Sequence, residues 1–251
     1  MRPLLRWTVL ALVALLALQL YFAARVAMMA TIAPQSTTFE RSEVWRILNE
    51  KGLPSTKPKT GLRWRQQWVD YKDISDHLKR AVIASEDDSF AWHEGVDWDA
   101  VEKALQANTL AEANVGWKII NGSKITKPPK IVGGSTITQQ LAKNLFLSGE
   151  RTFLRKGQEF VLTYLLEMLL SKQRILELYL NHVEWGEGVF GAEAAAQHYY
   201  RKSAARLSPQ EAARLAVMLP RPKYYEKLPD SGYLAERAAV IVDRLPGAEL
   251  P

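Results

Sequence analysis

The feature that most constrains this chain is an uncharged apolar run near its N-terminus. From Trp7 to Ala24 eighteen consecutive residues carry no charge, and beyond Arg25 the apolar character continues to Ala30. A helix needs about 20 such residues to cross the hydrocarbon core of a bilayer. The run also lacks the polar face that a helix on the surface of a soluble protein presents to water. We therefore expect residues 1–30 to form a cytoplasmic tip and one transmembrane helix.

The flanking charges predict how this helix is oriented. Arg2 and Arg6 precede the apolar run, and the positive-inside rule places such residues in the cytoplasm. The rest of the chain is then expected outside the cytoplasm, with residues 31–72 as a linker or stalk and residues 73–251 as the functional domain. A cleaved signal peptide remains the alternative, although its apolar core is usually only about 7–15 residues long.

Composition narrows the chemistry that the domain can use. The chain contains no cysteine, which excludes thiolate zinc sites, iron–sulfur clusters, a cysteine nucleophile and disulfide bonds. Its net charge is +6 and its pI is near 9.4. That excess suits an anionic membrane surface or a phosphorylated substrate. Because the domain is expected outside the cytoplasm, we predict no nucleic-acid partner.

Helical periodicity dominates from Asp73 onward, whereas alternating strand patterns are scarce. This pattern predicts a mainly α-helical domain, with one further short helix near Glu43–Lys51 in the linker. Ser208-Pro209-Gln210-Glu211 is a capping box with proline at the first helical position. Four other residues can cap helices: Asp76, Asp97, Thr152 and Ser171.

Three consecutive acids, Glu86, Asp87 and Asp88, stand where the first helix of the domain is expected to end. The C-terminal end of a helix disfavours negative charge. Mutual repulsion and the helix dipole should therefore raise the pKa of at least one carboxyl group, which suits a general base. An exposed acidic turn or a calcium-binding loop remains the alternative.

The block from Gly133 to Leu147 carries two stripes at helical spacing, and Thr136 with Gln139 fits a capping box. A polar stripe of amides and hydroxyls suits sugar hydroxyl groups, with a lysine available to a phosphate, although a merely solvated face remains the alternative. The apolar stripe is Ile137, Leu141 and Leu145, and the polar stripe is Thr136, Gln140, Lys143 and Asn144.

Arg155, Lys156 and Glu159 begin another apolar helix. Their spacing is that of intrahelical ion pairs, but a cationic cluster with one carboxylate also suits a bound polyanion.

Upstream, residues 113–149 contain no acid. Within that stretch we expect Trp117–Lys130, which contains four lysines, to lie against anionic headgroups, with a solvated loop as the alternative.

Taken together, these motifs resemble the signature blocks of the peptidoglycan glycosyltransferases (glycosyltransferase family 51). The resemblance covers about residues 75–220 and implies a lysozyme-like, two-lobed, mainly α fold with a sugar-binding cleft between the lobes. Too few residues follow Pro220 for a penicillin-binding transpeptidase domain, so we expect a monofunctional enzyme. The matching blocks are Glu86-Asp87-x-x-Phe90-x-x-His93-x-Gly95, Gly133–Leu147, Arg155-Lys156-x-x-Glu159, and Arg174-Ile175-Leu176-Glu177-x-Tyr179-Leu180-Asn181 with Gly186-x-Gly188-x-x-Gly191.

The resemblance also implies an activity, which is polymerisation of lipid II into β-1,4-linked glycan strands with release of undecaprenyl pyrophosphate. In this reading Glu86 is the general base, and Glu159 is a second essential carboxylate that assists at the donor site directly or through a metal. Lys143 and Arg151 stabilise the leaving pyrophosphate. The other substrate-binding residues implied are Ser135, Gln140, Asn144, Asp87, Phe90 and Arg155.

The same resemblance places the protein in the bacterial inner membrane as a single-pass protein with its catalytic domain in the periplasm. Its partners would be lipid II, the undecaprenyl-pyrophosphate-linked glycan, the membrane and other cell-wall synthesis proteins. The sequence requires no cofactor and leaves room for a divalent cation, Mg²⁺ or Mn²⁺.

Tyr200-Arg201-Lys202 departs from the family's usual Phe-Gly-Lys, and residues 106–131 form a longer segment than usual. A glycan-cleaving lytic transglycosylase and an inactive anchored scaffold remain alternatives.

Overall fold

The computed structural model describes residues 2–50, 64–113, 117–120, 123–126, 133–147, 149 and 152–251. Helices dominate these residues, which confirms the mainly α-helical fold. The α-helices are α1 (Arg2–Met28), α2 (Thr38–Glu50), α3 (Asp76–Glu86), α4 (Trp98–Ala113), α5 (Ile137–Phe146), α6 (Phe153–Leu169), α7 (Lys172–His182), α8 (Ala192–Tyr200), α9 (Pro209–Met218), α10 (Pro222–Tyr225) and α11 (Gly232–Arg244). Short 3-10 turns span Tyr71–Asp73, Ala204–Arg206 and Leu245–Gly247.

Local capping signals set most of the helix starts. Thr152, Ser171 and Ser208 each accept a hydrogen bond from the backbone N–H three residues on, as expected. The cap of α3 is Ser75 rather than Asp76, because Ser75 Oγ accepts from the backbone N–H of His77 at 3.2 Å. Asp76 lies in the first turn instead.

The helix predicted near Glu43–Lys51 begins earlier than expected, at Thr38. The reason is a further capping box, in which the Thr37 hydroxyl accepts from the backbone N–H of Glu40 at 3.0 Å. The Glu40 carboxylate in turn accepts from the backbone N–H of Thr37 at 2.7 Å.

Short strands complete the described fold. A three-stranded sheet has the order β1-β5-β4, formed by β1 (Arg65–Gln66), β4 (Glu184–Gly186) and β5 (Val189–Phe190). In it β1 runs parallel to β5, and β4 is antiparallel to β5. An antiparallel hairpin joins β2 (Trp117–Ile120) to β3 (Ser123–Thr126). This hairpin lies in the segment expected at the membrane surface. Lys127 and Lys130 lie outside the described residues, so that role stays a prediction.

Part of the segment expected as a linker packs onto the domain. Glu40 is buried, and its Oε1 lies 2.7 Å from His182 Nδ1 and accepts from Gln66 Nε2 at 2.8 Å. The Thr38 hydroxyl donates to the carbonyl oxygen of Leu145 at 3.0 Å. Because α2 packs on α5 and β1 belongs to the sheet, packing is continuous across residue 72.

The core is built around α5 and α7, with α3, α9 and α11 packed on one another beside them. The predicted apolar stripe of Ile137, Leu141 and Leu145 is confirmed as buried. Fully burying an aliphatic side chain of this size contributes about 1.5–3 kcal/mol. Trp185 and Tyr179 are the bulkiest side chains among the fully buried ones.

The N-terminal helix α1 has two parts with different surroundings. From Pro3 to Met28 it is long and apolar enough to cross a membrane by length and composition, and most of its large apolar side chains are exposed. Its C-terminal end instead contacts the domain, where Val26 is buried and the ring of Phe22 lies edge-on to that of Phe146 at 5.4 Å. Gln19 and Gln158 exchange side-chain hydrogen bonds of 3.0 and 3.1 Å.

Candidate active site

A cavity of about 460 Å³ opens between α5, the start of α6, and the region where β4 approaches α9 and α10. One wall is polar and carries most of the residues that the motifs singled out. The lining residues are Phe39, Ser135, Gln139, Gln140, Lys143, Asn144, Leu147, Gly149, Arg155, Lys156, Glu159, Val183, Glu184, Leu219 and Pro222.

Glu86 is the last residue of α3 and reaches the cavity wall through Gln140. The Gln140 side chain donates from Nε2 to Glu86 Oε2 at 2.9 Å. The hydroxyl of the fully buried Tyr179 donates to Gln140 Oε1 at 3.0 Å. Because an ionised carboxylate can only accept, the N–H₂ end of the amide faces Glu86 and the oxygen end accepts from the Tyr179 hydroxyl. The Tyr179–Gln140 pair therefore holds an oriented donor against the Glu86 carboxylate.

The pKa of the Glu86 carboxyl is raised, as the sequence predicted. Burial is the largest cause, and the negative charge of Asp87 adds to it, whereas the Gln140 hydrogen bond and the Lys143 charge act in the opposite direction. The main cause is therefore burial rather than the charge repulsion and helix dipole expected from the sequence. A carboxylate whose pKa is raised towards the working pH is suited to accept a proton.

Asp87 joins the end of α3 to the start of α5. Its Oδ2 accepts from the backbone N–H of Ile137 at 2.8 Å, and its Oδ1 lies 2.9 Å from His93 Nε2. His93 Nδ1 accepts from the backbone N–H of Gly95 at 3.0 Å, so the neutral ring carries its hydrogen on Nε2 and donates it to Asp87. Asp87 is buried behind the cavity wall. These contacts give Asp87 a positioning role, and its expected substrate contact stays a prediction.

Phe90 also lies away from the cavity lining, and its expected substrate contact stays a prediction. Its side chain is fully buried in the core, with Lys172 Nζ 4.7 Å from the ring centroid. It does not line the cavity, since other core side chains surround it. The motif that contains Asp87, Phe90 and His93 thus fixes the loop after α3 and the position of Glu86.

The polar stripe of α5 divides between the cavity and the backbone. Ser135, Gln140, Lys143 and Asn144 all line the cavity, as expected for substrate-binding residues. Thr136 instead caps α5 and donates from Oγ1 to the carbonyl oxygen of Gly95 at 2.6 Å. These contacts fix the direction of α5, so that its amide and lysine side chains face the cavity.

Gly134 permits α4 to approach the start of α5. A Cβ at this position would lie 3.2 Å from both the carbonyl oxygen of Ala100 and the Cα of Val101. Backbone atoms cannot yield as a flexible side chain can, so a larger residue would push the two helices apart.

Glu159 holds two cations in the lining of the cavity. Its buried carboxylate accepts from Arg155 Nη1 at 2.8 Å and from Lys156 Nζ. These pairs have the predicted helical spacing, and all three side chains line the cavity together with Lys143. Arg155 Nε is also buried and has no hydrogen-bond partner within the described part of the chain. Arg151 lies outside the described residues.

A divalent cation does not fit the donors arranged here. Both oxygens of the Glu159 carboxylate are occupied by cationic side chains. Among residues 2–50, 64–113 and the other described ranges, no group of three or more His, Asp or Glu side chains could hold a metal ion. The mechanism below uses no step through a metal.

Glu184 and Phe39 are among the cavity residues that the sequence does not predict. Glu184 stands between Val183 and Trp185 at a buried strand, and an acid between two apolar residues is the only local signal. Phe39 comes from the segment taken as linker, and nothing local to it indicates the cavity. Both are brought to the site by packing between distant parts of the chain.

Transfer of a sugar from a phosphorylated carrier needs a proton-accepting carboxylate, hydrogen-bonding amides and positioned cations. The helical domain described here contains all three. Comparison with known families agrees. A family model described as Transglycosylase matches residues 56–246, and the chain therefore belongs to the transglycosylase family. This result confirms the resemblance drawn from the motifs.

Curated proteins are similar to this chain over nearly its whole length. The "Biosynthetic peptidoglycan transglycosylase" of Herminiimonas arsenicoxydans is 50% identical, and the match covers 100% of this chain and 99% of the relative. A protein of the same name from Janthinobacterium sp. (strain Marseille) gives the same values. The one from Burkholderia thailandensis is 50% identical over 94% of this chain and 83% of the relative.

Proposed function

We propose that this protein polymerises lipid II into the β-1,4-linked glycan strands of peptidoglycan during cell-wall biosynthesis. The family and the names of its relatives support peptidoglycan glycan polymerisation. The observation that carries the finer assignment is the cavity itself, where Gln140 links the Glu86 carboxylate to a wall that ends in Lys143, Arg155 and Lys156.

Glu86 acts as the general base. It takes the proton from the 4-hydroxyl of the acceptor GlcNAc, and that oxygen forms a bond to the anomeric carbon of the donor MurNAc. The bond from this carbon to the pyrophosphate oxygen breaks, so the configuration inverts and undecaprenyl pyrophosphate leaves with the electron pair. The raised pKa of the Glu86 carboxyl and its fixed Gln140 contact support this role.

The cationic end of the cavity stabilises the leaving group. Negative charge develops on the pyrophosphate oxygen as the bond breaks, and positioned cations lower the barrier most when they face that charge. Lys143, Arg155 and Lys156 line the cavity, and the buried Nε–H of Arg155 is available to an anion. Arg151 is assigned to the same task by the family resemblance.

Glu159 positions these cations. Its carboxylate fixes the head groups of Arg155 and Lys156, which each lie one helical turn before it, so their charges do not have to be reoriented during the reaction. Preorganisation of this kind is worth more than the same charges on mobile side chains.

We further propose that α1 anchors the enzyme in the bacterial inner membrane, with the domain in the periplasm. The length and apolar composition of Pro3–Met28 support a membrane span, and Arg2 and Arg6 support a cytoplasmic N-terminus. The lipid tails of the donor would then remain in the same bilayer as α1. Other cell-wall synthesis proteins are partners in this setting.

Labelled lipid II and the purified full-length protein in detergent test the proposed function. We expect a polymer that lysozyme digests, whose formation is blocked by moenomycin and unaffected by penicillin. The matched reaction with cell-wall sacculi should release no soluble fragments. Release of fragments without polymer would assign the protein to the glycan-cleaving alternative, and inactivity in both assays would favour the scaffold.

A further inference from the structure

The cavity wall opposite α5 contains a carboxyl group that the mechanism above does not use. Glu184, on β4, is only 5% exposed and lines the cavity. Its Oε1 is buried and has no hydrogen-bond partner within the described ranges. Buried acceptors are paired in most native structures, so an unpaired one in the wall of a substrate cavity points to a partner that arrives with the substrate.

The nearest cation does not satisfy this oxygen. Lys223 Nζ lies 3.4 Å from Glu184 Oε1 and attracts the carboxylate, but its close hydrogen bond goes to Glu43 Oε2 at 2.5 Å. Glu43 is held in turn by Arg46 at 2.8 Å. Lys223 thus makes its shorter contact with α2 and only a long ion pair with Glu184 Oε1, so this oxygen can still accept a closer hydrogen bond.

We propose that Glu184 is a substrate-binding residue whose Oε1 accepts a hydrogen bond from a hydroxyl or amide N–H of the glycan chain. Glycans present many such donors, and the remaining lining residues on this side, including Val183 and Leu219, are apolar. The inference rests on the proposed function and adds a specificity-determining contact on the wall that faces Gln140 and Asn144.

The protonation state of Glu184 makes this contact testable. Burial raises the pKa of the Glu184 carboxyl to about 7; the Lys223 charge opposes the rise and the Glu43 charge adds to it. An ionised carboxylate accepts hydrogen bonds and a protonated one also donates, so a substrate donor favours the ionised form. The charged and titratable groups around it are Glu43 and Arg46 on α2, Lys223 on α10, Glu226 just after α10, Glu187 after β4, and His198 on α8.

Lipid II binding to the full-length protein in detergent is the direct measurement. A Glu86→Gln background permits binding without turnover. Affinity should increase by up to about tenfold between about pH 6 and about pH 8, as Glu184 loses its proton. Adding Glu184→Gln should abolish that slope while preserving shape, and adding Glu184→Ala should weaken binding by about tenfold at the higher pH.

Glu187→Gln is the matched control, because Glu187 belongs to the same charge network through Arg46 at 3.3 Å but does not line the cavity. It should keep the full pH slope. If the slope survives in Glu184→Gln, the inference is overturned while wild-type polymerisation still supports the proposed function. If the wild-type protein neither binds nor polymerises lipid II, the inference about Glu184 and the proposed function are both wrong. If Glu184→Ala fails to fold, the pH dependence of lipid II binding by the isosteric Glu184→Gln variant still tests the inference.

Discussion

Two helical glutamates, Glu86 behind the lining residue Gln140 and Glu159 in the cavity lining itself, are used in opposite ways. Glu86 faces a neutral amide, and its burial raises the pKa of its carboxyl. Glu159 faces two cations, which occupy both of its oxygens. The comparison shows that the surroundings decide the role: one carboxylate is kept ready to take a proton, and the other holds positive charge in place.

The largest expected effect is at Glu86. Glu86→Gln keeps the shape of the side chain but cannot accept the hydroxyl proton, so the rate of lipid II polymerisation should fall by about 10²–10⁴-fold. Initial rates with labelled lipid II measure this loss. Asp88→Asn is the control, since Asp88 is an exposed neighbour paired with Arg244, and its rate should remain near wild type. A folded Glu86→Gln protein with normal turnover would contradict the general-base role.

Around Glu159, removal of a single cation should cost somewhat less. Lys143→Met and Arg155→Met each remove one charge from the cavity, and loss of one group that stabilises developing charge typically lowers the rate by about 10²–10³-fold. Single-turnover measurements at saturating lipid II report the chemical step. Lys103→Met, on the exposed face of α4, controls for loss of a surface charge. Normal rates in both cavity variants would remove the leaving-group assignment.

The next effect is on stability and separates Asp87 from its neighbour Glu86. Asp87→Ala leaves the backbone N–H of Ile137 and the ring N–H of His93 without their acceptor. Leaving buried donors unpaired costs about 1–3 kcal/mol of folding free energy. Denaturant unfolding in detergent, compared with Asp88→Asn, measures it. If Asp87→Ala has unchanged stability but binds lipid II more weakly, Asp87 is a substrate-binding residue.

The smallest effect is the pH dependence of stability at Glu86. Because its folded pKa is raised, the folded state binds more protons than the unfolded state between the ordinary pKa and the raised one. Stability therefore falls as pH rises through that window. Glu86→Gln should unfold at a higher temperature than wild type at neutral pH. This difference in unfolding temperature should disappear below about pH 4, where the wild-type carboxyl is protonated in both states. A difference that persists in acid would assign the stabilisation to another cause.

Sequence reasoning succeeded where the signal was local. Capping by Thr152, Ser171 and Ser208 follows from contacts within one helical turn. The apolar stripe of Ile137, Leu141 and Leu145 likewise follows from spacing alone. The general-base and cation positions came from motif resemblance, and the cavity brings Gln140, Lys143 and Glu159 together.

The failures involve contacts between distant residues. Glu40 and His182 are 142 positions apart in the sequence, so no local sequence pattern predicts their buried contact. Asp87 was grouped with substrate residues because its motif contains Glu86, yet its partners lie inside the protein. Glu184 was overlooked because its position in the cavity depends on how β4 packs against α2 and α10.

The docked end of α1 has a consequence for how this enzyme meets its substrate. A helix of 26 residues is ~39 Å long at ~1.5 Å per residue, which exceeds the ~30 Å hydrocarbon core. The surplus of ~9 Å is about six residues at the C-terminal end of the helix, where Val26 is buried against the domain, so in the proposed anchored state the domain is held at a set height above the bilayer. An enzyme held this way encounters an amphiphilic donor by lateral diffusion in a film. Its turnover should therefore depend on the mole fraction of donor in the lipid, and diluting the donor with inert lipid at constant bulk concentration should slow it.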